Sequence, residues 1–163
     1  MRPTSAGYIF VALQFVIFNC RLYPRFSYLC CMDIVEFREF CLSLPEVEES
    51  FPFDEVTLVF KVAGRMFTIV GLDNPIGFVV KCDPDRAIDL RDRYQQVLPA
   101  FHFNKRHWNS ICFVGAMTDE QLRAEIRHSY LLVIQQNVSP KARRLELLQL
   151  ADEAGVKDDA ERF

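Results

Sequence analysis

The sequence predicts an α+β fold, with an antiparallel β-sheet and helices packed on one face of it. Two patterns and their order point to it. Apolar residues recur at helical spacing behind capping signals at Asp33 and Thr118, whereas residues 56–70 alternate with a period of two around Ala63-Gly64. These stretches follow one another as helix, three strands, helix, one or more further strands, and helix. With 163 residues, half of them apolar, the chain has room for one sizeable core but not for two large domains.

Asp33 and Glu36 form a capping box for a first helix, in which Ile34, Phe37, Cys41 and Leu44 share a face until Pro45 stops it. Residues 46–55 are acidic and, with Pro52 between Phe51 and Phe53, read as a turn. Val56, Leu58, Phe60 and Val62 then alternate with Thr57, Val59 and Lys61, Ala63-Gly64 reverses the chain, and Met66 to Val70 returns as the second arm of a β-hairpin. Phe78 to Cys82 forms a third strand after the Asn74-Pro75 turn. Asp83-Pro84 supplies a cap and a first-turn proline for a short, charged helix reaching Tyr94. Pro99 interrupts the chain, and Ile111 to Val114 reads as the next strand. Thr118 and Gln121 cap a closing helix through Leu122, Ile126, Tyr130 and Val133 that ends near Asn137. Beyond Ser139-Pro140, Lys141 to Ala154 carry Leu145, Leu148 and Ala151 at helical spacing, and Gly155 closes this accessory helix.

The chain thus divides into an N-terminal extension at 1–31, a domain at 32–137 and a helical tail at 138–163. The extension holds an apolar run, Tyr8 to Phe18, with Arg2 before it and Arg21 and Arg25 after it. That run is shorter than the roughly 20 residues a spanning helix needs, and Asn19-Cys20-Arg21-Leu22 offers no small-residue cleavage site. The first expectation is that translation starts at Met32 and that residues 1–31 carry no function; a signal or membrane anchor is the second.

Composition narrows the function. A net charge of -3, a pI of about 5.6 and a mean hydropathy of +0.04 fit neither a disordered chain nor a strongly basic nucleic-acid tail. Fifteen Phe against six Gly and one Trp predict a core of aromatic rings, and neither a Walker loop nor a dinucleotide fingerprint is present. The six cysteines form no Cys-x-x-Cys pair, and Cys41, Cys82 and Cys112 fall within apolar patterns, which points to buried thiols in a reducing cytoplasm. No local pattern ties those thiols to His102, His107 or His128, so no catalysis, cofactor or metal centre is expected.

Charge is unevenly placed. Residues 32–60 hold eight acidic residues and one Arg, whereas residues 61–111 hold eight Lys or Arg and five Asp. Such asymmetry can hold a polyanion against one face of an acidic protein, although a solvated surface has the same signature. The densest stretch is Phe101-His102-Phe103-Asn104-Lys105-Arg106-His107-Trp108-Asn109. Its cations, imidazoles, amides and rings are the groups that neutralise phosphates, stack on bases and read base edges. A lone Trp in a small domain is more often a core or boundary residue than a stacking platform.

Several motifs in order resemble the MmcQ/YjbR-like proteins of bacteria: Cys41-Leu42-Ser43-Leu44-Pro45, Phe51-Pro52-Phe53-Asp54, Thr57-Leu58-Val59-Phe60-Lys61-Val62 with Gly64, Lys81-Cys82-Asp83-Pro84, Asn104-Lys105-Arg106-His107-Trp108-Asn109, and His128-Ser129-Tyr130. The resemblance covers Met32 to about Asn137. It implies a two-layer fold similar to the frataxin-like CyaY architecture and a DNA-binding protein with a double-wing motif; a monomer without enzymatic activity is expected. Lys61, Lys81, Lys105, Arg106, His107, Trp108 and Asn109 lie in its recurring motifs and are the expected nucleic-acid contacts. A second expectation rests on the fold analogy: frataxin-like proteins bind iron weakly through acidic residues, and Glu36, Glu39, Glu46, Glu48, Glu49, Asp54 and Glu55 occupy the matching region, where they could equally serve a protein partner or solubility.

Overall fold

The Asp33 carboxylate accepts hydrogen bonds from the Val35 and Glu36 N–H groups at 2.8 and 2.9 Å, and the Glu36 side chain accepts from the Asp33 N–H. This reciprocal cap starts α1 (Ile34–Ser43). In the computed structural model, which describes residues 32–159, there follow β1 (Val47–Ser50), β2 (Thr57–Val62), β3 (Arg65–Gly71), β4 (Gly77–Lys81), α2 (Pro84–Arg93), β5 (Val97–Pro99), β6 (Trp108–Cys112), α3 (Asp119–Asn137) and α4 (Lys141–Glu153). The expectations for residues 1–31 lie outside the described residues.

The fold is α+β, and the strands form a six-stranded antiparallel sheet in the order β1-β2-β3-β4-β6-β5. Two strands correct the sequence reading. The acidic segment read as a turn contains β1, which pairs with β2 from Val47 opposite Val62 to Ser50 opposite Val59. The strand placed at Ile111 to Val114 begins instead at Trp108, where β6 lies between β4 and the three-residue β5. The β2–β3 hairpin turns through Ala63 and Gly64, both at positive φ (48° and 71°), the pair of left-handed residues that a two-residue turn matched to strand twist requires.

Leu58, Phe60, Val70, Phe78, Val80 and Ile111 project from the sheet into one core with Phe37 of α1, Leu90 of α2, Ile126 and Tyr130 of α3 and Leu147 of α4. Phe37 is its hub, with ring centroids 5.7, 4.9 and 5.6 Å from Phe60, Phe78 and Phe113. Burying such a ring removes enough apolar surface to contribute about 2 to 3 kcal/mol. The Tyr130 hydroxyl donates to the Pro45 carbonyl at 2.8 Å and fastens the end of α1 to α3. Cys41, Cys82 and Cys112 are buried, as their apolar settings predicted.

Strand register decides which loops share an end of the sheet. Val62 pairs with Arg65 across the β2–β3 turn, Thr68 with Val80, Lys81 with Trp108, and Pro99 with Asn109. The 63–64 turn, the C-terminus of β4 and the 100–107 loop joining β5 to β6 therefore emerge at one end. At about 4.8 Å per strand, the two turns stand three spacings apart, roughly 14 Å.

Candidate nucleic-acid interface

The 100–107 loop is held from within and from below. Ala100 N–H donates to Trp108 O, Phe103 N–H to Ala100 O, His107 N–H to Asn104 O, and Arg106 N–H to the Asn104 side-chain oxygen. Asn104 thus makes the side-chain-to-backbone turn for which Asn is favoured in loops. Beneath the loop, Arg91 of α2 directs one guanidinium at three acceptors: Nη2 donates to the carbonyls of Lys105 and Trp108, and Nε donates to Asn109 Oδ1 at 2.7 Å. Asn109 in turn donates to the Ala87 carbonyl, so helix and loop brace each other.

The seven expected contacts separate in this frame. Lys105 and Arg106 are exposed on the loop, and His107 is half-buried beside them with its carbonyl accepting from the Cys82 N–H. Lys81 sits at the same end, but its ammonium donates to Gln136 and Asn137 at the C-terminus of α3, and partial burial lowers its pKa from the ordinary lysine value. Lys61 is half-buried on β2 opposite Glu48 of β1. Trp108 is half-buried, its ring 5.0 Å from that of Phe103, which makes it the boundary residue that a lone Trp suggests. Asn109 is 0% exposed and serves Arg91 and Ala87, so its amide faces no solvent from which to read a base.

Two groups at this end are absent from the expected set. Arg65 is exposed immediately after the 63–64 turn, and a cation beside a hairpin tip was the available signal. Phe101 is 64% exposed, with Lys105 Nζ 5.8 Å from its ring centroid and the His102 ring 5.0 Å away, edge on. Nothing in a run of three aromatic residues marks which ring points outward, because that depends on the loop's hydrogen bonds.

Several acidic residues of the second expectation already have partners. Glu36 caps α1, Glu49 takes both Nε and Nη2 of Arg38, Glu46 pairs with Arg143 of α4, and Asp54 accepts from Val56, Thr57 N–H and the Thr57 hydroxyl. Burial raises the Cys41 thiol pKa well above its usual range and pushes that of Cys82 to about 12, which keeps both protonated and poorly nucleophilic near neutral pH. No helix among the described residues is long and apolar enough to cross a membrane.

The family model for YjbR matches residues 42–132, a span holding every strand, α2 and most of α3. The chain is 30% identical over 120 residues to the uncharacterised Escherichia coli protein YjbR, covering 73% of this chain and all of that one. It is 31% identical over 98 residues to the uncharacterised YbdF of Escherichia coli, covering 60% of this chain and 80% of that one. Among solved structures, a Deinococcus radiodurans protein with a DUF419 domain matches at 34% identity and a TM-score of 0.65, covering 78% of this chain and 91% of that one. A Pseudomonas syringae protein at 18% identity and a TM-score of 0.54, covering 62% and 98%, shares the fold. The chain belongs to the YjbR family.

Proposed function

We propose that the chain is a non-enzymatic DNA-binding protein of CyaY-like architecture whose two hairpin ends act as a pair of wings on the phosphate backbone. The observation that carries this reading is the convergence of Arg65, Lys105 and Arg106 on one end of the sheet, from two turns about three strand spacings apart. Cations on braced turns contact phosphates without first losing the freedom of a mobile loop. The overall charge of -3 keeps such binding weak and dependent on low salt.

The test is a salt series of DNA and RNA binding with the full chain. Log K is expected to fall linearly with log salt. Lys105→Ala with Arg106→Ala is expected to weaken binding to all sequences alike and to flatten the slope by about one unit for each phosphate no longer neutralised. Both side chains are exposed, so the variant should unfold at the wild-type midpoint. A folded double variant with unchanged affinity and slope would remove the loop from the site.

A further inference from the structure

Phe101 is the phenyl ring of the 101–103 run that the loop leaves outside. Phe103 lies against Trp108 at 5.0 Å, whereas Phe101 is 64% exposed and borders Lys105 and His102. An exposed aromatic face is ordinarily withdrawn or covered by loop movement, but here the loop cannot easily fold it away. Ala100 is fastened to Trp108, Phe103 to Ala100, and the Lys105 carbonyl to Arg91, so the backbone on both sides of the ring is fixed. The ring also has a cation beside it: Lys105 Nζ lies over the ring, 5.8 Å from its centroid, and the exposed Arg106 follows Lys105 in the chain. An exposed aromatic ring with a flexible lysine ammonium within reach matches one nucleotide, which offers a base face to the ring and a phosphate to the ammonium.

Building on the nucleic-acid reading, we infer that the preferred ligand is single-stranded, with Phe101 stacking on an unpaired base while Lys105 and Arg106 hold the adjoining phosphates. In an intact duplex both faces of each internal base are already stacked on neighbours, and a ring reaches them only by unstacking a step, at a cost of a few kcal/mol. An unpaired base presents its face without that cost. Trp108, which residue type alone would nominate as the platform, is already occupied by Phe103.

Binding of the full chain to a fluorescent oligodeoxynucleotide of about 20 nucleotides is compared with binding to the same strand annealed to its complement, at about 50 mM salt. The single strand should bind about tenfold more tightly. Phe101→Ala should lose about tenfold on the single strand and nothing on the duplex, since base–aromatic stacking is worth that order of free energy per base. Phe101→Tyr should retain the affinity, and both variants should keep the wild-type unfolding midpoint because the side chain is exposed. Equal or tighter duplex binding with a harmless Phe101→Ala would overturn the inference while leaving the phosphate contacts of Lys105 and Arg106 intact, as their own double variant reports. A Phe101→Ala variant that weakens both ligands equally would also overturn it, because the ring would then be shaping the loop rather than stacking. Absence of binding to either ligand would overturn this inference and the reading beneath it together.

Discussion

Glu125 is 2% exposed on α3 and accepts from Nε and Nη2 of Arg86, a half-buried residue of α2. Burial raises the Glu125 carboxyl pKa above the usual carboxylate range, and the Arg86 guanidinium offsets that only in part. The folded chain therefore holds a proton on Glu125 more readily than the unfolded chain does. Its contribution favours the fold fully below the ordinary glutamate pKa and is lost as pH rises through the raised value. Glu125→Gln removes that titration while keeping an acceptor for Arg86. Relative to wild type, the variant should gain stability as pH rises above the ordinary glutamate range, read from urea midpoints in a pH series that starts below it. Parallel pH profiles for the two proteins would show that Glu125 makes no such contribution. Residue identity foretold none of this, nor the burial of Asn109, because an amide or carboxylate has the same letter in the core as at the surface.

At the scale of elements, local signals were the legible ones. The α1 and α3 starts were readable because a capping box lies within four consecutive residues, and the structure has both Asp33 with Glu36 and Thr118 with Gln121 closed as drawn. The β2–β3 hairpin was readable for the same reason. β1 was not, since Val47-Glu48-Glu49-Ser50 holds a single apolar residue and owes its strand form to pairing with β2. The first three residues of β6, Trp108-Asn109-Ser110, were hidden likewise, because buried Asn109 finds its partners in Arg91 and the Ala87 carbonyl, eighteen and twenty-two residues earlier. Of the site, the cations of the loop were visible and the brace beneath them was not. Arg91→Ala should therefore speed amide exchange at residues 103–107 well before it speeds exchange in β2 and β3, as followed by hydrogen exchange with residue resolution. Uniform acceleration across the domain would mean that Arg91 supports the whole fold rather than this loop.

Across the described residues, the order of the strands decides which turns and which edges the domain presents. The order of strands was beyond the sequence, since β6 and not β5 lies beside β4 while β5 pairs only with β6, and only the closed sheet reveals which turns meet at one end. The same order leaves β1 and β5 as the outermost strands among the described residues. β1 is four residues long and carries Glu48 and Glu49 in succession; β5 is three residues long and ends at Pro99, which has no N–H to give a neighbour. Replacing Glu48 and Glu49 with Val should leave the domain folded but raise light scattering on standing at high protein concentration, and a variant as clear as wild type would show that the carboxylates do not guard this edge. Newly made chains are crowded beside copies of themselves, each with half-formed strands on offer. A sheet whose margins are short, charged at one side and proline-stopped at the other gives those copies little to grow upon, so this domain can complete its pairing without becoming the seed of a fibre.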